Sequence, residues 1–213
     1  YMPDGNRRFA RAKGVPLSKA YSLGGKTLKL LTDFFIAGRK ANMLIYHALS
    51  EHTYSRIDES TGPICKAAEN TFRDLLKEDF FARRRIRFRA IDHSGKLPRE
   101  LDRLSKALET STRKFDRGQV VVLLGYSLDK DIARALSQKP RSYAEIRSKL
   151  LFPEIGLVIR PTEMRPSGGP VYAMAQAQMI TLDKFNPEIS MKDLARAWRD
   201  FLALKAYRVK DNP

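Results

Sequence analysis

The sequence predicts an α/β fold: a single domain with a mostly parallel central β-sheet flanked by helices. Three observations carry this. Apolar runs rich in β-branched residues and Leu alternate with amphipathic stretches of helical period. The clearest run, Val120-Val121-Val122-Leu123-Leu124, lacks polar alternation and reads as a strand covered on both faces. The 213 residues, 43% of them hydrophobic, suffice for one substantial core over residues 1–213, with no linker, repeat or low-complexity tract.

Taken in order, residues 23–37 carry a helical pattern, and Met43-Leu44-Ile45-Tyr46 follows as a buried strand. A helix over about 64–81 leads into a strand at 85–91, where Arg85, Arg87 and Arg89 alternate with Ile86 and Phe88. One basic and one apolar face suit an edge strand with solvated charges. Residues 97–115 are amphipathic, with Leu101, Leu104 and Leu108 on one face. The 120–124 strand, helical segments near 129–138 and 142–151, a second interior strand at 156–159 and a closing helix at 191–206 complete the pattern. Such alternation implies a mostly parallel sheet, whose ligands collect at the carboxyl ends of the strands. Asp4, Ser50, Gly125 and Arg160 each follow an apolar segment at such an end. The chain opens on Tyr1 without an initiator Met, so the first strand is expected to be truncated at the amino terminus.

Composition narrows the partners. Forty Lys and Arg against 24 Asp and Glu leave a net charge of +16, which implies polyanions: phosphates, nucleic acid or an acidic membrane face. No recognised nucleic-acid motif accompanies the Arg-rich strand. The lone Cys65 excludes an internal disulfide and fits a reducing compartment, and its helical setting reads as an inert core thiol. No apolar stretch approaches the ~20 residues of a membrane span. A cytoplasmic protein, peripheral to an anionic membrane, is the expectation.

The densest chemistry is Met2-Pro3-Asp4-Gly5-Asn6-Arg7-Arg8-Phe9-Ala10. A carboxylate at a strand end can hold a divalent cation. Backbone N–H groups at Gly5 and Asn6 can cradle phosphate oxygens where a helix begins. Arg7 and Arg8 can clamp a phosphate bidentately. The plainer reading is a turn before a helix with Asp4 as its N-cap.

The order of these residues resembles the signature of the cis-prenyltransferases, the undecaprenyl diphosphate synthase family: Met-Asp-Gly-Asn-Gly/Arg-Arg-Trp-Ala. The resemblance continues along essentially the whole chain, weakening toward the carboxyl end. The family's Gly-His-x-x-Gly is matched by Ala20-Tyr21-Ser22-Leu23-Gly24, so a Tyr stands for the His; the Arg four residues before that His is Leu17 here. The block Tyr-Ala-Phe-Ser-x-Glu-Asn-Trp-x-Arg is matched by residues 46–56 with one insertion. Ser50, Tyr54 and Arg56 then fall on the Ser, Trp and Arg, and Thr53 on the Asn. Of the two His in this stretch, His47 and His52, His52 is the better functional candidate because it lies in the matched loop; no role is assigned to His93. Leu124-Gly125-Tyr126-Ser127-Leu128-Asp129 is similar to the lavandulyl-type branch, which couples two dimethylallyl units irregularly.

The last block, Ile159-Arg160-Pro161-Thr162-Glu163-Met164-Arg165-Pro166-Ser167-Gly168, lacks one residue between its two Arg. It keeps Arg160, Arg165 and Ser167, the types that grip the second substrate's diphosphate. Where the family has a Glu for Mg²⁺ at that substrate, the alignment places Gln178, a weaker ligand for a hard cation. The closing Lys205-Ala206-Tyr207-Arg208 shows no Arg-x-Gly terminus of the kind that marks accessory subunits.

The resemblance implies a prenyltransferase acting on an allylic prenyl diphosphate with Mg²⁺ and releasing diphosphate, by an irregular or short-chain condensation. Asp4 is then the metal-binding catalytic carboxylate, with Arg56 beside it. Gly5, Asn6, Arg7, Arg8, Tyr21, Ser50, Arg160, Arg165 and Ser167 bind substrate. The substrates would be dimethylallyl, geranyl or farnesyl diphosphate, with isopentenyl diphosphate as a second substrate, in a homodimer. An apolar tunnel would be walled by Leu30, Phe34 and Phe35 on one side and Phe72, Leu75, Leu76 and Phe80 on the other. Two other readings stay open: a non-catalytic prenyl-diphosphate-binding homologue or partner subunit, and a nucleic-acid-binding protein.

Overall fold

The computed structural model describes residues 1–55, 61–152 and 154–210. Three strands, β1 (Met43–Ser50), β2 (Arg87–Ile91) and β3 (Gln119–Tyr126), form a parallel sheet in the order β1-β3-β2. β3 is central and its Val120–Leu124 side chains are all at most 1% exposed, as a run without polar alternation requires. β2 is the edge: Arg87 is exposed while Phe88 beside it is 1% exposed. Arg85, expected in this strand, instead takes a left-handed conformation (φ 57°) that closes a short 3₁₀ turn, Ala82–Arg84. β4 (Leu157–Pro161) and β5 (Gln178–Leu182) form a second parallel pair. Tyr1 and Met2 lie between the two sheets. The Tyr1 nitrogen donates to Ile45 O, His47 N–H donates to Tyr1 O, and Met2 N–H donates to Ile159 O.

The β1–β3 register contains a defect that matters below. His47 pairs with Leu123 and Leu49 with Leu124, so Ala48 is extra on β1; Ser50 then pairs with Tyr126, so Gly125 is extra on β3 and the original offset returns. The two irregularities cancel, and both lie beside the site.

The helices are α1 (Asn6–Lys13), α2 (Leu17–Leu31), α3 (Glu51–Ser55), α4 (Thr61–Lys77), α5 (Arg99–Thr112), α6 (Leu128–Leu136), α7 (Tyr143–Lys149) and α8 (Met191–Lys210). α2 starts six residues before the expected helix and passes into a π-helical turn, Thr32–Ala37, in which Phe34, Phe35 and Ile36 are all buried. The widened turn places three consecutive apolar residues in the core, which a 3.6-residue period would not. α5 buries Leu101, Leu104 and Leu108 to 2% exposure or less, the face its sequence marked. The main core lies between the β1–β3–β2 sheet and α2, α4, α5 and α8; a smaller one, around Val121, Leu123, Tyr126 and Phe152, covers the other face. Cys65 is buried, and that burial raises its thiol pKa, as an inert core position would.

Candidate active site

Gly5, not Asp4, is the N-cap of α1. It needs φ 87°, and a Cβ there would lie 2.8 Å from the Phe185 ring and 3.0 Å from the Thr162 methyl. Only glycine satisfies both demands. This frees the Asp4 carboxylate from capping. One oxygen accepts from Gly5 N–H at 2.6 Å and lies 3.1 Å from Arg8 Nη2; the other accepts from Arg160 Nη2 at 2.6 Å and Nε at 3.1 Å. Burial would raise the Asp4 pKa, but the bonds from Arg160, Gly5 and Arg8 outweigh it and hold the carboxyl below its ordinary range. Arg160 is itself 4% exposed and also donates to the carbonyl of Arg165.

A second carboxylate, Glu163, joins this group. It lies 3.0 Å from Arg8, 3.5 Å from Arg160 and 2.5 Å from Arg165. Arg8 also donates to Thr162 Oγ1 at 2.7 Å. Guanidinium groups from the first and last sequence blocks thus meet over two carboxylates.

Behind them opens a cavity of about 610 Å³ between α2 and α4. Its mouth carries Asp4, Gly5, Asn6, Arg7, Arg8, Glu163 and Arg165, with Tyr21 on one wall. Further lining comes from Gly24, Gly25 and Leu28 of α2, Ile64, Ala67, Ala68, Thr71 and Phe72 of α4, Tyr46 of β1, Val122 and Leu124 of β3, and Asn186. Each helical set follows a spacing of three and four, so one face of each helix looks into the void. The expected walls need correction: of Leu30, Phe34, Phe35, Phe72, Leu75, Leu76 and Phe80, Phe72 alone borders this cavity. Phe34, Phe35, Leu75 and Phe80 are buried in the main core, because large side chains fill space and the space left open faces small ones.

A smaller cavity of about 170 Å³ lies beside the first and shares Pro3, Asp4 and the bulged Ala48 with it. Met2, His47, Ser50, Thr53, Arg160 and Ser167 complete its lining. Ser50 Oγ and Thr53 Oγ1 are 3.3 Å apart.

The candidate residues therefore divide into two adjoining groups. Asp4, Gly5, Asn6, Arg7, Arg8, Tyr21 and Arg165 border the larger cavity; Asp4, Ser50, Arg160 and Ser167 border the smaller. Arg56 lies outside the described residues. His52 is exposed on α3 and borders neither cavity, whereas the buried His47 borders the smaller one. Gln178 opens β5 opposite Leu157, three register steps before Arg160↔Thr181 and at the strand end away from Asp4.

Asn186 is a site residue that sequence reasoning missed. Buried to 1% exposure, it accepts from Tyr1 Oη at 2.8 Å and donates to Asn6 Oδ1 at 3.1 Å and to Gly24 O at 3.3 Å. Its backbone N–H donates to Asp4 O at 2.9 Å. It ties the Asp4–Asn6 turn to α2. The signal available was the Asn186-Pro187 dipeptide, which reads only as a turn.

Comparison with known proteins agrees with this geometry. The family model for putative undecaprenyl diphosphate synthases matches residues 2–207. The chain is 26% identical over 216 residues to a tritrans,polycis-undecaprenyl-diphosphate synthase (GGDP specific) of Sulfolobus acidocaldarius, covering 94% of this chain and 82% of that one. It is 28% identical to a geranylgeranyl-diphosphate-specific enzyme of the same name from Archaeoglobus fulgidus, covering 97% and 88%. Among solved structures, lavandulyl diphosphate synthase from Lavandula x intermedia, in complex with dimethylallyl diphosphate, superposes with a TM-score of 0.85 at 21% identity, covering 94% and 92%. A probable undecaprenyl diphosphate synthase from Campylobacter jejuni superposes at 0.74 and 17%, covering 84% and 88%. By fold, by motif order and by a match over nearly its full length, the chain belongs to the undecaprenyl diphosphate synthase family of prenyltransferases.

Proposed function

We propose that this chain transfers an allylic prenyl group from its diphosphate to a second prenyl unit, in an irregular or short-chain condensation that releases diphosphate. One observation carries the reading: two carboxylates, Asp4 and Glu163, and the guanidinium groups of Arg7, Arg8 and Arg165 border one cavity whose remaining lining is mostly small and apolar, with Tyr46, Thr71 and Asn186 among it. The donors receive a dimethylallyl, geranyl or farnesyl diphosphate, and the 610 Å³ behind them takes its hydrocarbon tail. The allylic C–O bond breaks heterolytically and its electron pair leaves with the diphosphate. The Arg groups and the opening turn of α1 stabilise that charge. Leu28, Phe72, Val122 and Leu124 keep water from the cation.

Asp4 fits a magnesium site in donor type. Mg²⁺ is commonly held by one or two carboxylates together with substrate phosphates, and the described residues offer no cluster of three or more His, Cys, Asp or Glu. Bound there, Mg²⁺ would neutralise charge on the departing diphosphate. Arg160, Ser50 and Ser167 receive the diphosphate of the second unit, which is isopentenyl diphosphate or another short prenyl diphosphate. Neutral Gln178, set away from Asp4, supports a coupling other than regular long-chain extension. A homodimer and peripheral contact with an anionic membrane are further parts of this reading. No described helix is long and apolar enough to cross a membrane.

A second reading, a non-catalytic prenyl-diphosphate-binding homologue or partner subunit, is favoured by the engagement of Asp4 with Arg160. One experiment separates the two. Purified protein is incubated with Mg²⁺ and dimethylallyl, geranyl or farnesyl diphosphate, with and without isopentenyl diphosphate. Diphosphate release with a coupled product is expected; binding without turnover on every combination overturns the enzymatic reading.

A further inference from the structure

A concentration of positive charge lies far from Asp4, at the end of the sheet where the strands begin. Three segments meet there. The strand starts Met43, Gln119 and Arg87 are in register, Arg117 N–H donates to Arg85 O at 3.2 Å, and the Arg117 guanidinium reaches Ala37 O at 3.5 Å. Arg39 precedes β1, Arg83, Arg85 and Arg87 lead into β2, and Arg113 and Arg117 precede β3. All six are exposed, and none makes an ion pair with a described residue. Acids within these turns are few: Asp33 is paired with Arg84, which leaves Asp79 and Asp116. At a rise of about 3.3 Å per residue, the length of β1 sets this face about 20 Å from Ser50 and the diphosphate site.

Beside these charges lies an apolar cleft of about 390 Å³ between β1 and β4. The strand starts Met43 and Leu157 line it, with Phe35, Trp198 and Phe201. Met43 is 40% exposed. Lys40 and Lys205 border the cleft together with one carboxylate, Glu154. Cations without partners call for a polyanion, and the cleft says which kind. Nucleic acid would satisfy the guanidinium groups and leave the apolar surface unused. An anionic bilayer meets both needs, with headgroups on the cations and acyl chains against the cleft. We propose that this strand-start face docks on an anionic lipid surface, with Arg83, Arg87 and Arg113 among the headgroups and Met43 and Trp198 at the acyl boundary. The diphosphate site, at the opposite end of the strands, then opens toward water.

The inference rests on the peripheral membrane contact in the reading above and is tested without substrate. Failure of the prenyl-transfer reading would appear separately, as allylic diphosphate bound without release. The unmodified protein is sedimented with vesicles of phosphatidylcholine alone and of equal parts phosphatidylcholine and phosphatidylglycerol. Binding to the anionic vesicles and not to the neutral ones is expected. Each basic residue at such a surface contributes about fivefold in affinity, so Arg83→Gln, Arg87→Gln and Arg113→Gln together should weaken binding by about a hundredfold. Lys139→Gln, Arg141→Gln and Lys192→Gln remove the same charge from exposed positions elsewhere and should weaken it by less than about tenfold. Trp198 is the single Trp of the chain and borders the cleft, so quenching of its emission by brominated acyl chains is expected in the anionic vesicles. No binding to anionic vesicles, equal losses in the two triple variants, or binding without quenching overturns the proposal. So does tighter binding of duplex DNA or single-stranded RNA than of vesicles at equal phosphate concentration, which would give the face to nucleic acid.

Discussion

Glu163 is paired with the guanidinium groups that the proposed function gives to phosphate, and replacing it offers a sharp test of the site. Its carboxylate contacts Arg8, Arg160 and Arg165, so an incoming diphosphate must displace it or be repelled by it. Glu163→Gln keeps the side chain's shape and hydrogen bonding and removes the charge. The Arg8 and Arg165 side chains are 44% and 64% exposed, so each of those pairs is worth about 0.2–1 kcal/mol. The Arg160 contact, longer at 3.5 Å but on a side chain only 5% exposed, contributes about as much. Losing all three removes about 0.6–3 kcal/mol that favours the unbound state, or roughly threefold to a hundredfold in affinity. The assay is calorimetric titration of metal-free protein with dimethylallyl diphosphate, at low and high salt. Tighter binding by Glu163→Gln, with a smaller advantage at high salt, is expected. Unchanged or weaker binding without metal would refute the argument that Glu163 competes with the ligand.

Three further outcomes follow from the same geometry. Asp4→Ala should cost about 3 kcal/mol of stability in urea unfolding, because it leaves the buried Arg160 without its main carboxylate; it should also lower turnover by about a hundredfold or more, whereas a scaffold would show the stability loss alone. Gly24→Ala would place a Cβ 2.4 Å from Asn6 Oδ1 and 2.5 Å from Asn186 Nδ2, so a loss of about 1–3 kcal/mol and weakened diphosphate binding are expected, by thermal melting and titration. For pH, the native His47 pKa of about 4 lies below its ordinary 6.5, so between those values the unfolded chain binds a proton that the folded chain refuses. Stability from this group is therefore complete above about pH 6.5 and falls by up to about 1.4 kcal/mol per pH unit as pH drops toward 4. Asp4 acts in a lower window: its depressed pKa adds stability above the ordinary carboxylate range, lost as pH falls through the native value. Urea titrations between pH 7 and 4.5 should show the His47 slope in the native protein and lose it in His47→Asn.

Different parts of the molecule were legible for different reasons. β3 could be read because a strand covered on both faces must be apolar throughout, and Leu101, Leu104 and Leu108 of α5 because a half-exposed helix must alternate. β5 was not read: four of its five residues are only half-buried, so neither pattern appears. The meeting of Asp4 through Arg8 with Arg160 through Ser167 was legible as two ordered sets of charged and hydroxyl residue types. The inner wall of the cavity was not. Large apolar side chains were expected there, but a void is bordered by residues that fail to fill it, here Gly24, Gly25, Ala48, Ala67 and Ala68. Asn186 acts through burial, which has no local sequence signature.

The buried Arg160 ties the two cavities together. At 4% exposure it needs an anionic partner, and Asp4, which borders both cavities, supplies one. When Asp4 turns toward a ligand in the larger cavity, Arg160 loses that partner and its need for an anion is met most directly by a phosphate oxygen in the smaller one. The two sites should therefore bind cooperatively, and the coupling must be reciprocal. A coupling of about 1 kcal/mol, the low end for such systems, corresponds to roughly fivefold in affinity. Protein saturated with Mg²⁺ and a non-ionisable thio-analogue of dimethylallyl diphosphate should then bind isopentenyl diphosphate about fivefold more tightly than protein without it, and Asp4→Asn should abolish the difference. Equal affinities with and without the analogue would mean that Asp4 stays with Arg160 throughout, and that the carboxylate is a structural partner of the guanidinium and no part of ligand binding.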